Sequence, residues 1–260
     1  NRINFEFDWY YRNNFDLIGY VQTMGVGGQV TKLANDATMR STGAEFTLST
    51  QNIKTKDFTW TTDWIFSYAT NKITKLDART QIYQLIQGYG SMRQGYPVNS
   101  LFSIPFAGLT EEGLPTFYTN AEHTETTISG IEMQDYTNLD FLKFEGTTDP
   151  KITGSFGNTL SWKGLTLNIF FTYAFGNVLR LDPLCYQYGS QYSDLTASMK
   201  EMKNRWVVPG DELTTTIPAI LTKRQYSEIE HADIAYTSYN FSDQRVAKGD
   251  YIRLKELSLQ

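Results

Sequence analysis

Apolar and polar residues change places one by one in several separate stretches of this chain, and no other feature restricts its fold as much. From 3 to 12 the apolar positions are Ile3, Phe5, Phe7, Trp9 and Tyr11, with Asn4, Glu6, Asp8 and Arg12 between them. Successive side chains of a strand point to opposite faces, so this spacing predicts a strand with one greasy and one polar face. The same period returns at Ala44, Phe46 and Leu48, and at Phe58, Trp60, Trp64, Phe66 and Tyr68 against Thr59, Thr61, Asp63 and Ser67. It returns again at Ile152, Phe156, Leu160 and Trp162, then from Leu165 to Phe175, and a sixth, less regular run covers 251–259. The reading is all-β, with six antiparallel strands.

The connections alternate in length. Residues 51–57 and 163–164 are brief links, whereas 13–43, 71–150 and 176–250 are long. Short connections at one end and long ones at the other are the arrangement of an outer-membrane barrel, with periplasmic turns and extracellular loops. On that assignment the first strand rises from the periplasm and the sixth returns to it. Asp57 and Lys163 then lie at the periplasmic rim, and Gly27, Pro105 and Tyr188 lie outside. Compact folds seldom carry structureless loops beyond about 15 residues. The competing reading is a soluble or surface-attached β-sandwich binding module, whose strands also alternate.

Face chemistry favours the barrel. Trp9, Tyr11, Trp60, Tyr68, Trp162 and Tyr173 are expected near strand ends, where rings with a polar edge suit the membrane interface. The opposite face is rich in Thr, Ser and Asn, as a wet or plugged lumen requires. A mean hydropathy of -0.40 does not argue against this, because alternating strands look polar on average. No stretch approaches the roughly 20 apolar residues of a membrane-spanning helix.

Several functions are excluded or disfavoured. A net charge of -5 without a basic run leaves no electrostatic footprint for nucleic acid. His123 and His231 are the only histidines and no H-E-x-x-H or G-x-S-x-G occurs, so no enzyme, metal site or cofactor is expected. This also leaves an outer-membrane hydrolase without a candidate residue. Cys185 reads as a structural thiol, and Gly25-Val26-Gly27-Gly28 lacks a Walker lysine and reads as a loop tip. Glu111, Glu112, Glu122, Glu125, Asp135 and Asp140 match no calcium-loop spacing and read as a solvated face.

Ordered motifs along most of the chain resemble SusC-like (RagA-type) TonB-dependent transporters of Bacteroidetes. They are Gly95 to Ile104 with Ala107-Gly108-Leu109 and Glu112 to Pro115; Gly146 to Pro150 with Ile152, Gly154, Phe156 and Asn158; Asn204-Arg205-Trp206 with Pro209-Gly210-Asp211; and Gly249 to Lys255. The resemblance implies a barrel of about 22 strands closed around an N-terminal plug. This chain would supply six, as part of a single outer-membrane β-barrel domain over 1–260, with plug and final strands outside it and both ends looking cut. It further implies TonB-dependent import of oligosaccharides or oligopeptides, a SusD-like surface lipoprotein over the extracellular mouth, contact with the TonB complex through the N-terminal part, and a surround of outer-membrane lipid.

One long loop has a composition suited to ligand capture. Tyr186, Tyr188 and Tyr192 stand among Gln187, Gln191 and Asp194, with Trp206 further on. Aromatic faces stack on sugar rings or bury peptide side chains, and polar neighbours fix orientation. The same rings equally suit packing of the loop on itself or against the partner lipoprotein.

Overall fold

A computed structural model of the chain describes residues 2–22, 31–89, 91–184 and 199–260. Six strands form one open antiparallel sheet: β1 (Ile3–Gln22), β2 (Thr31–Lys54), β3 (Phe58–Leu76), β4 (Ile152–Trp162), β5 (Leu165–Phe175) and β6 (Tyr251–Leu259). Each pairs with its sequence neighbour, so the sheet is a simple meander. Both brief links lie at one end, where the Lys163 amide donates to the Asp57 carbonyl at 3.0 Å.

The alternation places every predicted strand but underestimates three of them. The expected long loop over 13–43 is instead mostly strand, because β1 and β2 stay paired up to Gln22 opposite Thr31. The period breaks at a bulge between Asn14 and Leu17, where Asp16 takes φ 56°. A bulge shifts the pattern by one residue, so the continuation no longer reads as the same strand. β3 likewise runs past Tyr68 to Leu76, beyond a register shift at Met39 opposite Ile73. The irregular sixth run has the same cause, a register shift against β5 between Phe170 and Phe171.

Register decides which side chains share a face. Phe5, Leu48, Trp64, Phe156, Phe171 and Leu254 form one row across the sheet. Within this face Phe46 stacks on Phe66 with centroids 5.1 Å apart and meets Trp64 edge-on at 4.8 Å. No second sheet covers the face among the described residues, and Phe5, Trp9 and Leu257 are 59%, 67% and 63% exposed. A sandwich would bury these side chains, so that reading fails; a lipid-facing wall requires them.

Aromatics mark two levels of this wall. Phe58 opposite Trp162 forms the lower one, and Tyr68, level with Trp9 through Ala44, forms the upper. Ten residues of β3 separate them, about 33 Å along the strand and, at a tilt near 40°, about 25 Å in height, which matches an apolar band. Contrary to expectation, Trp9, Tyr11 and Tyr68 therefore do not sit at the ends of their own strands. They sit mid-strand, level with the upper ends of β4 and β5, above which β1–β3 continue.

The two remaining long connections fold together into a cap. It contains α1 (Ile82–Gln87), α2 (Lys223–Glu228), α3 (Ala232–Asn240) and short antiparallel strand pairs. Ile86, Phe102, Phe117 and Leu142 from 71–150 pack with Met202, Tyr236 and Tyr239 from 176–250 in one buried core. Backbone bonds from the Ile104 amide to Phe241, and from the Asp243 amide to Ile104, stitch the connections together at 3.1 and 3.2 Å. Arg180 adds a half-buried fastening: its guanidinium donates to the carbonyls of Ser242, Ile86 and Phe102 at 2.7, 3.0 and 2.7 Å. Burial lowers its pKa to about 10, still far above neutrality.

Candidate functional site

The polar face of the wall is built by the same register that builds the apolar one. On it Ser49 Oγ donates to Asp63 at 2.6 Å, Ser67 Oγ to Glu45 at 3.2 Å, and Asn168 Nδ2 to Glu256 at 2.9 Å. Asp8 stands directly opposite Glu45. These groups stay solvated or bonded to one another, as the inner surface of a barrel demands.

Where this inner face meets the base of the cap lies a polar cavity of about 310 Å³, lined by Tyr10, Arg12, Asn71, Asp149 and Lys151 among others. Tyr10 lies over its partner Gly43, which has no side chain to displace the ring. The Arg12 guanidinium carbon is 4.6 Å from the Tyr10 ring centre, and Asp149 is held by Asn99 Nδ2 at 2.8 Å. Opposite charges and an aromatic plane thus line the mouth of the lumen, groups able to orient a polar solute by hydrogen bonds and stacking.

A second cleft of about 480 Å³ opens on the cap, between Tyr83, Ile131, Met133, Asp233 and Ile234. Its shape comes from the start of α1, where the amides of Ile82 and Tyr83 donate to Asp135 and Met133 at 3.0 and 2.8 Å. Neither cavity was foreseen, because each joins residues more than 70 positions apart. The one available hint was Tyr10, a ring in a polar position of an otherwise regular alternation.

Of the aromatic loop residues, Tyr186, Tyr188 and Tyr192 lie outside the described residues, as do Cys185 and Gly25 to Gly28. Trp206 is half-buried. Its ring covers Gly113, its Nε1 donates to Glu212 at 3.1 Å, and its amide donates to Ile217 at 3.0 Å. The turn after it is tied by Asp211, whose Oδ2 accepts from the amides of Val207 and Val208 at 2.9 and 3.0 Å. Those amides hold the Asp211 carboxyl below its ordinary pKa, and backbone amides at Glu212 and Gly210 do the same for Glu212.

Two of the acidic residues have local roles. Asp135 accepts from Thr137, and Asp140 pairs with Arg93 at 2.7 Å. His123 stacks on Tyr118, and His231 precedes α3. Among the described residues no group of three or more His, Cys, Asp or Glu gathers around a common point.

A sheet with one lipid-facing and one wet face, short turns at one end and a folded cap at the other, is a segment of an outer-membrane β-barrel wall with its extracellular loops. No family model matches the chain. It is 24% identical, over 99% of its length, to TonB-dependent receptor P3 of Formosa agariphila, covering 25% of that protein. TonB-dependent receptor P39 of the same organism is also 24% identical over 99% of the chain, which covers 27% of it. Among solved structures, the RagAB peptide transporter superposes on the whole chain with a TM-score of 0.71 at 24% identity, the chain covering 27% of the matched one. The chain therefore spans about a quarter of the length of these relatives. It resembles the TonB-dependent receptors of the SusC/RagA type throughout, and its compartment is the outer membrane. The relatives named here are receptors and a transporter, not enzymes.

Proposed function

We propose that the intact protein imports an oligosaccharide or oligopeptide across the outer membrane, driven by TonB, as the barrel component of a complex with a SusD-like lipoprotein. The observation that carries this is the wall itself: a six-stranded amphipathic meander whose polar face ends in a charged cavity under a folded cap. Likeness along the whole of this chain to about a quarter of a TonB-dependent receptor and of a peptide transporter supports the reading. On it the wall encloses a plug and guides solute without chemistry, and the cap meets the lipoprotein and the incoming substrate.

Tyr186, Tyr188, Tyr192 and Trp206 are the proposed capture residues. Removing the planes at 186, 188 and 206 together should weaken binding by around a hundredfold, at about 1 kcal/mol per lost stacking contact. The Trp206 change also removes packing on Gly113, so Trp206→Phe serves as the conservative control. The measurement is growth on candidate glycans and peptides, together with ligand binding to the purified complex at matched outer-membrane abundance. Unchanged growth and binding in the triple Ala variant would exclude these residues from capture. Loss of the lipoprotein on purification would reassign them to the protein interface.

A further inference from the structure

The lipid-facing side of the wall carries two cations that the transport reading leaves without a role. Arg40 on β2 and Lys72 on β3 are direct cross-strand partners. They share a face with Phe46 and Phe66, because the pairs Thr42–Thr70, Ala44–Tyr68 and Phe46–Phe66 follow in two-residue steps with no register shift between them. Both side chains are exposed.

Among the described residues neither cation has a carboxylate partner. Arg40 Nε donates only to Asn13 Oδ1, at 3.4 Å, and its guanidinium carbon lies 5.3 Å from the Tyr11 ring centre. Lys75, three residues from Lys72, is by contrast neutralised by Asp77 at 2.7 Å. Like charges directly opposite on adjacent strands repel, and among the described residues no carboxylate offsets this pair.

Height says what can. Tyr11 stands opposite Thr42, one step below Arg40, and Tyr68 lies four residues below Lys72, about 13 Å along the strand. The pair therefore rises just above the aromatic belt, at the level of outer-leaflet headgroups. Arg presents a fork that matches phosphate oxygens, and Lys adds a point charge. Further down the same face, about 20 Å along β3 from Lys72, an apolar groove of about 520 Å³ opens between Phe66, Phe156, Tyr173 and Ile252.

We propose that Arg40 and Lys72 form a binding site for the phosphate of an outer-leaflet lipid, whose acyl chain descends the wall into this groove. The phosphate neutralises the opposed cations, and the groove takes the chain. The site fastens lipid to the outside of the barrel and is separate from solute passage.

The test uses the full-length protein purified in detergent and freed of lipid, with fluorescent lipid A as probe beside its dephosphorylated form. Arg40→Gln/Lys72→Gln should weaken binding of the phosphorylated lipid about tenfold or more and leave the weaker binding of the dephosphorylated lipid unchanged. Lys75→Gln should change neither. Because the variant removes a repulsion, its Tm without lipid should equal or exceed that of the wild type; a lower Tm would mean that the pair is structural and would overturn the site. Equal affinities for wild type and double variant would overturn it as well. Displacement of the lipid by inorganic phosphate at equal concentration would reduce it to an anion site and refute the lipid assignment.

Discussion

At Gly154 an added Cβ would collide with the Ile65 carbonyl oxygen and with Tyr173 Oη. The absent side chain lets Tyr173 reach across β4 and donate to that carbonyl at 2.9 Å, while Trp64 Nε1 donates to Tyr173 Oη at the same distance. Two polar groups on an apolar face are thereby satisfied within the protein, which lipid cannot do for them. Single residues also govern the cap. Asp211 has a folded pKa below its ordinary value of 3.8, so its contribution is complete above that value and is lost as pH falls through the lower folded value. Glu212, depressed in the same direction, adds its Trp206 bond to the same window. The fluorescence difference between wild type and Trp206→Phe should stay constant from neutral pH down to ordinary carboxylate values and change only below them. In Asp211→Asn that acidic transition should shrink. A transition centred near pH 6 would show that other groups hold this turn.

Among the elements, β5 offers the sharpest test of sidedness. Ile169 pairs with Leu257 on the apolar face, whereas Asn168 pairs with Ser258 and bonds to Glu256 on the polar one. A charge on the lipid side near the midplane costs roughly 2 to 4 kcal/mol. Ile169→Arg should therefore sharply lower the folded, heat-modifiable fraction on electrophoresis, and Asn168→Arg, placed beside a carboxylate, should leave most of it. Equal losses at the two positions would mean that β5 does not form a wall. The lengths of β1–β3 are a separate lesson. Alternation was legible up to Arg12 and Tyr68, then hidden by bulges at Asn14 and Met39, because pattern reading assumes a register that a bulge resets.

For the molecule as a whole, the two short turns meet at one end and the cap stands at the other, so the chain has a defined vertical orientation. Cysteine replacing exposed Glu122 in the cap should react with a membrane-impermeant maleimide on intact cells, and cysteine replacing Lys163 should react only after the outer membrane is opened. The opposite pattern would invert the barrel. Period-two alternation determined the strands and their two faces, since both follow from a side-chain direction fixed by the strand itself, and the alternating lengths of the connections determined the end at which the long ones lie. The tertiary structure alone decided that 71–150 and 176–250 share one core, that Arg180 fastens them, and that Arg40 stands opposite Lys72. Those facts depend on which distant residues become neighbours. Register, bulges and burial set that pairing, and no local pattern encodes it.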